Sequence, residues 1–289
     1  IEDLAIYNSR EHLIDFCITY DKNYEVNFHH RIIADELEAI AKGESDIELL
    51  VLECPPRHGK SQLSSIYFPA WYLGKNPTKE IITSSYSGEL SSDFGAKTRD
   101  IINDEQYKAI FNTCLKQDSK AKDKWKTEEG GGYLSAGRGA SITGRGANIF
   151  LIDDPVKDRE EADSKVIRDK VFSWYRSVAL TRLEKYAVII IIMTRWHPDD
   201  LVSRAIKIAK ESGQKYKVIT FPAISIQDDK YRKRGDALWP NKYPIEKLEQ
   251  KKIQLGPYEW SALYQQNPIA TENQEFKQEW FQKITRDKL

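Results

Sequence analysis

The chain has 289 residues, with 44 Lys+Arg against 44 Asp+Glu and a formal net charge of zero. That length suits one large core with appended elements, or two domains. A neutral chain that handles nucleic acid does so through a local patch rather than an overall basic charge. The three cysteines, Cys17, Cys54 and Cys114, lie far apart without a C-x-x-C, which argues for reduced thiols rather than a disulfide framework. The five histidines show no metal-ligand spacing. No apolar run approaches the roughly 18 residues of a membrane-spanning helix, and no signal-peptide pattern opens the chain.

Residues 1–46 read as helical. Leu13, Phe16 and Cys17, and then Ile32, Ile33, Leu37 and Ile40, recur at three- and four-residue spacing. Gly43 is placed to end the second helix. From residue 47 the pattern alternates. Strands are predicted at 47–53, 80–84, 149–153, 187–193 and 216–221, and helices at 60–74, 87–103, 159–182 and 198–212. Near-continuous apolar strands alternating with helices imply a mostly parallel sheet covered on both faces. Ligands of such sheets bind beyond the carboxyl ends of the strands. The stretch 114–147 interrupts the alternation. It is first polar and lysine-rich, then glycine-rich, and reads as a hairpin with turns. After 222, Pro, Lys and Asp become frequent, and 223–270 reads as a small helical lid or linker.

Two stretches carry chemistry. Glu53-Cys-Pro-Pro-Arg-His-Gly-Lys-Ser61 follows a buried strand and opens a helix. Backbone N–H groups at such a helix start cradle phosphates, aided by the helix dipole. Lys60 would reach the β- and γ-phosphates, and the Ser61 hydroxyl would sit on Mg²⁺. Pro56, Arg57, His58, Gly59 and Gln62 complete the expected nucleotide contact. The usual loop is G-x-x-x-x-G-K-[ST], and Cys54 stands where its first glycine belongs. The second stretch is the apolar strand Ile149–Ile152 ending in Asp153 and Asp154. Asp153 would hold the metal through its coordination sphere. Asp154 would orient or deprotonate the attacking water, with Glu160 or Glu161 as the alternative base. Arg57 reads either as a γ-phosphate contact or as a surface arginine of the loop, and His58 as loop scaffold. Thr194 ends the strand Ala187–Met193, between the two acidic strand ends. It reads as a hydroxyl holding a catalytic water or carboxylate, or as a strand-to-helix cap.

Several stretches in order resemble one family. They are CPPRHGKS at 54–61, FPAWYLGKNP at 68–77, SYS at 85–87, GGYLSAGRGASITGRGANIFLIDDPVKDREEADS at 131–164, MTRWHPDDL at 193–201 and GPYEWSALYQQNP at 256–268. The chain resembles the large subunit of tailed-phage terminases from about residue 24 onward. In that family the Cys-Pro-Pro-Arg variant of the phosphate loop is ordinary.

The resemblance implies an α/β fold, a P-loop NTPase with a central, mostly parallel sheet flanked by helices and a small C-terminal lid. The expected divisions are an N-terminal helical segment at 1–46, the ATPase core at 47–222 and a lid or linker at 223–289. Beginning at Ile1 and ending at Leu289, the chain reads as a fragment without the nuclease domain that such subunits carry. The resemblance also implies ATP with Mg²⁺, and a motor that drives double-stranded DNA into a procapsid. Its partners would be the portal, the small terminase subunit and further copies in a ring, with a monomer expected in isolation. Its setting would be the cytoplasm of the bacterial host.

Among individual residues, the resemblance makes Arg145 a finger acting on a neighbour's nucleotide, with Arg138 the runner-up. It gives Thr194 a coupling role and places Tyr24, Phe28, His29 and His30 near adenine. The lysine-rich 116–126 and Lys230–Arg234 are candidate DNA contacts. Two other readings remain, a helicase-like or repair P-loop ATPase and a nucleotide-binding scaffold without turnover.

Overall fold

The computed structural model describes residues 2–119, 121–140, 142 and 144–269. The end of the expected 223–289 segment therefore lies outside the described residues. The strands are β1 (Leu49–Glu53), β2 (Glu80–Ser85), β3 (Lys124–Lys126), β4 (Gly132–Gly137), β5 (Ala147–Asp153), β6 (Leu183–Met193) and β7 (Tyr216–Thr220). They form one sheet in the order β3-β4-β2-β5-β6-β1-β7. All pairings are parallel except β3–β4. The sheet is thus mostly parallel and helices flank it, as the alternation of strands and helices implies.

The apolar runs explain the order. Leu49–Leu52 and Ile189–Ile192 are fully buried, as befits central strands covered on both faces. Successive side chains point to opposite faces. Leu50, Leu52, Leu151, Ile190 and Ile192 thus join the core under the N-terminal helices, with Phe16, Leu37 and Trp71. Leu49, Val51, Phe150, Ile152, Ile189 and Ile191 join the opposite core, with Trp174, Val202 and Ala205. A third, small apolar cluster lies apart from both, where Ala223, Ala237, Leu248 and Trp260 meet.

The helices depart from the sequence expectations at their breaks. The N-terminal region holds three helices, α1 (Glu2–Glu11), α2 (Leu13–Tyr20) and α3 (Phe28–Ala41). His12 is extended and parts the first two. Gly43, at φ +71°, follows the end of α3. After the loop that follows β1, a wide π turn at Gln62–Tyr67 runs into α4 (Phe68–Lys75). Helices α5 (Gly88–Asn103) and α6 (Glu105–Ile110) lead to the hairpin β3–β4, whose second strand also pairs with β2.

The expected helix 159–182 is broken. Asp158 caps α7 (Arg159–Asp163), and Ser164, at ψ +108°, ends it and caps α8 (Lys165–Trp174). A π turn at Tyr175–Ala179 and a 3₁₀ turn at Leu180–Arg182 follow. Helix α9 (Leu201–Ser212) starts on the Asp200 cap and ends at left-handed Gly213. Among the described residues of the last segment, α10 (Ile245–Glu259) and the turn Trp260–Tyr264 are helical, and Gly256 kinks α10.

This topology positions the site. Strands β5, β6 and β1 lie side by side and parallel, so Glu53, Asp153 and Met193 end on one edge. The loops leaving those ends converge there. Among the described residues no helix is long and apolar enough to cross a membrane.

Candidate active site

The loop after β1 lines a cavity of about 660 Å³, together with the ends of β5 and β6. Its walls include Pro56, Arg57, Gly59, Lys60, Ser61, Gln62, Asp153, Asp154 and Thr194. Arg57 (φ +64°) and Gly59 (φ +83°) are both left-handed. Such a chain turns backbone N–H groups toward one concavity. Only glycine fits at 59, because a Cβ there would lie 2.5 Å from His30 Nε2.

Asp153 sits at the bottom of this cavity, 1% exposed. The Ser61 hydroxyl donates to Oδ1 at 3.0 Å, and the Ser65 hydroxyl donates to Oδ2 at 2.5 Å. Burial, and then the neighbouring Asp154 charge, push the Asp153 carboxyl above the usual carboxylate range. Lys60 pairs with Asp154 Oδ2 at 2.9 Å. Burial alone would lower the Lys60 ammonium, but Asp154 and Asp153 outweigh it and the net shift is upward.

Asp154 is left-handed at φ +43°, a conformation that Asp tolerates better than most residues. Its N–H donates to Ile192 O at 2.9 Å, which fixes the turn against β6. Its Oδ1 accepts the Thr194 N–H at 3.1 Å, and the Thr194 hydroxyl donates to Cys54 O at 3.3 Å. Glu160 and Glu161 do not line the cavity. Glu160 is exposed, and Glu161 binds Arg138 through both oxygens at 3.0 and 3.1 Å.

Three histidines brace the loop from behind. His29 and His30, at the start of α3, both donate Nε2–H to His58 O, at 2.9 and 3.0 Å. His58 donates Nδ1–H to Pro56 O at 2.9 Å. Burial holds all three below the ordinary histidine range, His30 and His58 at about 4 and His29 lower still. Trp239 packs edge-on against His29 and His30.

A second cavity of about 420 Å³ shares Gly59, Gln62 and Lys242 with the first and is lined by Tyr24 and His30. The Tyr24 hydroxyl is buried there without a hydrogen-bond partner. Both ring nitrogens of His30 are engaged, because Nδ1 accepts the Asn27 N–H at 3.0 Å. His30 therefore offers a ligand only its ring.

The arginines separate. Arg57 is exposed at the cavity mouth. Arg138 follows β4 on the same edge as Asp153, its N–H bonded to Ser85 O at 2.8 Å. Arg145 precedes β5 and lies on the opposite, amino edge, 3.6 Å from Glu80. Of the expected DNA contacts, Arg232 is turned inward. It is 7% exposed, donates to Pro222 O and lies over the Phe28 ring.

Sequence reasoning missed Ser65, whose signal was a second hydroxyl one helical turn beyond Ser61. It also missed the buried partners of Arg195, namely Glu53 at 2.6 Å and Asp200 at 2.6 Å. Nor did it find Arg159, which grips Glu259 at 2.6 and 2.8 Å.

Residues 51–283 match the family described as terminase large subunit, T4likevirus-type, N-terminal. The chain belongs to that family. No curated protein matches its sequence. Among solved structures, the ATPase domain of the Thermus phage P74-26 large terminase, as an arginine-to-alanine mutant, aligns with TM-score 0.55 at 12% identity. That alignment covers 85% of this chain and 95% of the other. The HK97 bacteriophage large terminase aligns with TM-score 0.52, also at 12% identity. It is covered over 51% of its length by 85% of this chain, so the chain spans about half of that terminase. At such identity these matches show the fold, a terminase ATPase domain.

The histidine brace makes this terminase domain sensitive to acid. The three rings are neutral in the fold, while in the unfolded chain they titrate at about 6.5. The folded state thus binds fewer protons, so the contribution is full above about pH 6.5 and is lost as pH falls toward 4. Urea unfolding should lose on the order of 1–2 kcal/mol per ring between pH 7 and 5. His30→Gln should flatten the profile. A wild-type midpoint constant down to pH 5 would show that the rings are not held neutral.

Proposed function

We propose that this domain hydrolyses ATP with Mg²⁺ and thereby drives double-stranded DNA into a phage procapsid. One observation carries the reading: Lys60, Ser61 and Asp153 meet in one cavity at the carboxyl ends of β1 and β5. The residues fit the implied ligands. The hydroxyl of Ser61 and the carboxylate of Asp153 form the hard-oxygen pair that Mg²⁺ accepts. Bound Mg²⁺ would neutralise charge across the β- and γ-phosphate oxygens. The backbone of Arg57–Ser61 would cradle the phosphates, with Pro56, His58 and Gln62 shaping the loop. The unpartnered Tyr24 hydroxyl, in the adjoining cavity beside the His30 ring, supports adenine binding there.

Lys60 pairs with Asp154. An entering triphosphate competes for that ammonium and releases Asp154 Oδ2. The carboxylate, still held through Oδ1 by the Thr194 N–H, then accepts a proton from the attacking water. Thr194 thereby senses the state of the site. Residues 223–289 would act as the lid or linker over it, and 47–222 as the ATPase core. The portal of the procapsid and the small terminase subunit are the partners that this role requires, in the cytoplasm of the bacterial host. A ring of copies would supply Arg145 in trans, because seven-residue β5, roughly 20 Å long, separates it from its own Asp153.

Two sets of variants test this reading. Lys60→Ala and Asp153→Ala should abolish turnover with the fold kept, and Asp154→Asn should bind ATP yet hydrolyse it about 10²–10⁴-fold more slowly. Phosphate release close to wild type in all three would exclude the assigned site. Arg145→Ala should keep ATP affinity and lose hydrolysis stimulated by procapsid and DNA, since arginine fingers contribute roughly 10³–10⁵ in rate. Mixing Arg145→Ala with Lys60→Ala should restore part of that activity. Confirmed co-assembly without recovery at any ratio would move the assignment to Arg138 or Arg57.

A further inference from the structure

We infer that His29 and His30 are positioning residues that hold the His58–Gly59 peptide in its phosphate-accepting orientation. This rests on the nucleotide binding proposed above. In a trans peptide the C=O and the following N–H point in opposite directions. Fixing the His58 carbonyl therefore fixes the Gly59 N–H. The carbonyl points back into the histidine pair, so the N–H points forward, into the loop. If the peptide turned over, a carbonyl oxygen would face phosphate oxygens instead.

The loop needs such a restraint. Gly59 lacks the Cβ that would resist rotation, and its φ of +83° is one that glycine enters and leaves freely. A carbonyl oxygen carries two lone pairs, and here both are taken by ring N–H donors, at 2.9 and 3.0 Å. Both rings are essentially inaccessible, so water does not replace them as donors.

The tautomers that make these bonds are imposed by one residue. Asn27 donates its backbone N–H to His30 Nδ1 at 3.0 Å. Its side-chain amide donates to His29 Nδ1 at 2.9 Å and to Leu238 O at 2.5 Å. Each ring then has its single hydrogen on Nε2, facing His58 O. Trp239, which follows Leu238 in the chain, closes the rings from the side, with centroids at 5.6 and 4.7 Å. The phosphate loop is thus set jointly by α3 and by the segment before α10.

Titration calorimetry with Mg·ATPγS tests this on the purified chain, well below its melting temperature. Replacing the pair by His29→Leu and His30→Leu should weaken binding at least about tenfold, because a loop carbonyl loses both donors. His29→Gln with His30→Gln, which keeps an N–H donor near each Nε2, should recover affinity to within about threefold. A folded Leu pair that binds like wild type overturns the inference. So do equal losses in the Leu and Gln pairs, which would assign the effect to packing. Should the Leu pair not fold, ¹⁵N spectra of the wild-type rings decide. Both must be neutral Nε2–H tautomers at pH 7.5, and an Nδ1–H or protonated ring overturns the inference. Wild-type protein that gives no heat with Mg·ATPγS instead sinks the proposed nucleotide binding, and the tautomers still report on the brace.

Discussion

A carboxylate buried at the end of β5 is the contact on which the site depends. An ionised group in such a place is stable only when its oxygens are met by donors or cations. Asp153 has both. Two hydroxyls, Ser61 at the end of the loop after β1 and Ser65 in the turn that follows, occupy its oxygens, and Lys60 stands beside it. These bonds tie the phosphate loop to a strand that is not its sheet neighbour. Strand β6 lies between β1 and β5, so loop and carboxylate meet only above the edge of the sheet. The wide turn at Gln62–Tyr67 fits this geometry, because it carries Ser65 at the point where the chain passes over Asp153.

The same edge is wired to the end of the described chain. Arg195 is buried with Glu53 and Asp200, and Thr220 donates to Glu53 at 2.6 Å. These ion pairs lock the ends of β1, β6 and β7 together. Removing one partner would leave a buried charge uncompensated. The Arg195 N–H then donates to the Gln266 side chain at 3.0 Å. The preceding N–H, that of Thr194, donates to Asp154. One residue of covalent chain therefore separates the contact with the carboxylate from the contact with the segment after α10. A second tether runs from Arg159, just past the Asp153–Asp154 turn, to Glu259 and to the face of Tyr258. A rearrangement of Asp154 has a short mechanical route to the C-terminal segment through each.

The parts legible in the sequence were those set by local chemistry. Strands β1, β5 and β6 stood out because burial on both faces demands unbroken apolar runs. The loop after β1 stood out because Gly59-Lys60-Ser61 directly after a buried strand is a local pattern. The breaks were harder to see. Ser164 splits a periodic stretch by capping a new helix, although serine before an apolar run is itself a start signal. The hairpin expected within 114–147 forms as β3–β4, but glycines hid that β4 also joins β2, and they are required where Gly131 and Gly132 pass Pro77, Lys79 and Trp125 at backbone distance. The histidine brace was not legible, because it joins residues about thirty positions apart that share no periodicity. Arg232 read as part of a candidate DNA contact, but the fold brings Phe28 and Pro222 to it.

The two glycine-flanked arginines place different demands on assembly. Arg138 lies on the carboxyl edge, and reaching a phosphate bound in its own subunit would mean leaving both oxygens of Glu161. One of its guanidinium nitrogens is buried without a partner, so the pair with Glu161 does not saturate it. Arg145 faces the other way. It lies with Lys126, Asn148 and Glu184 around a cavity of about 430 Å³ at the amino edge, where its only ion pair among the described residues is to Glu80. In the proposed finger role, a residue so placed would have to act on another copy. The interface it would need joins unlike surfaces, the amino edge of one sheet and the carboxyl edge of the next. Such head-to-tail contacts close into a ring only when the rotation per subunit divides a full turn, and otherwise continue as a helix. A trans role for Arg145 therefore commits this domain to a cyclic or helical assembly, whereas a role for Arg138 in its own subunit carries no such commitment.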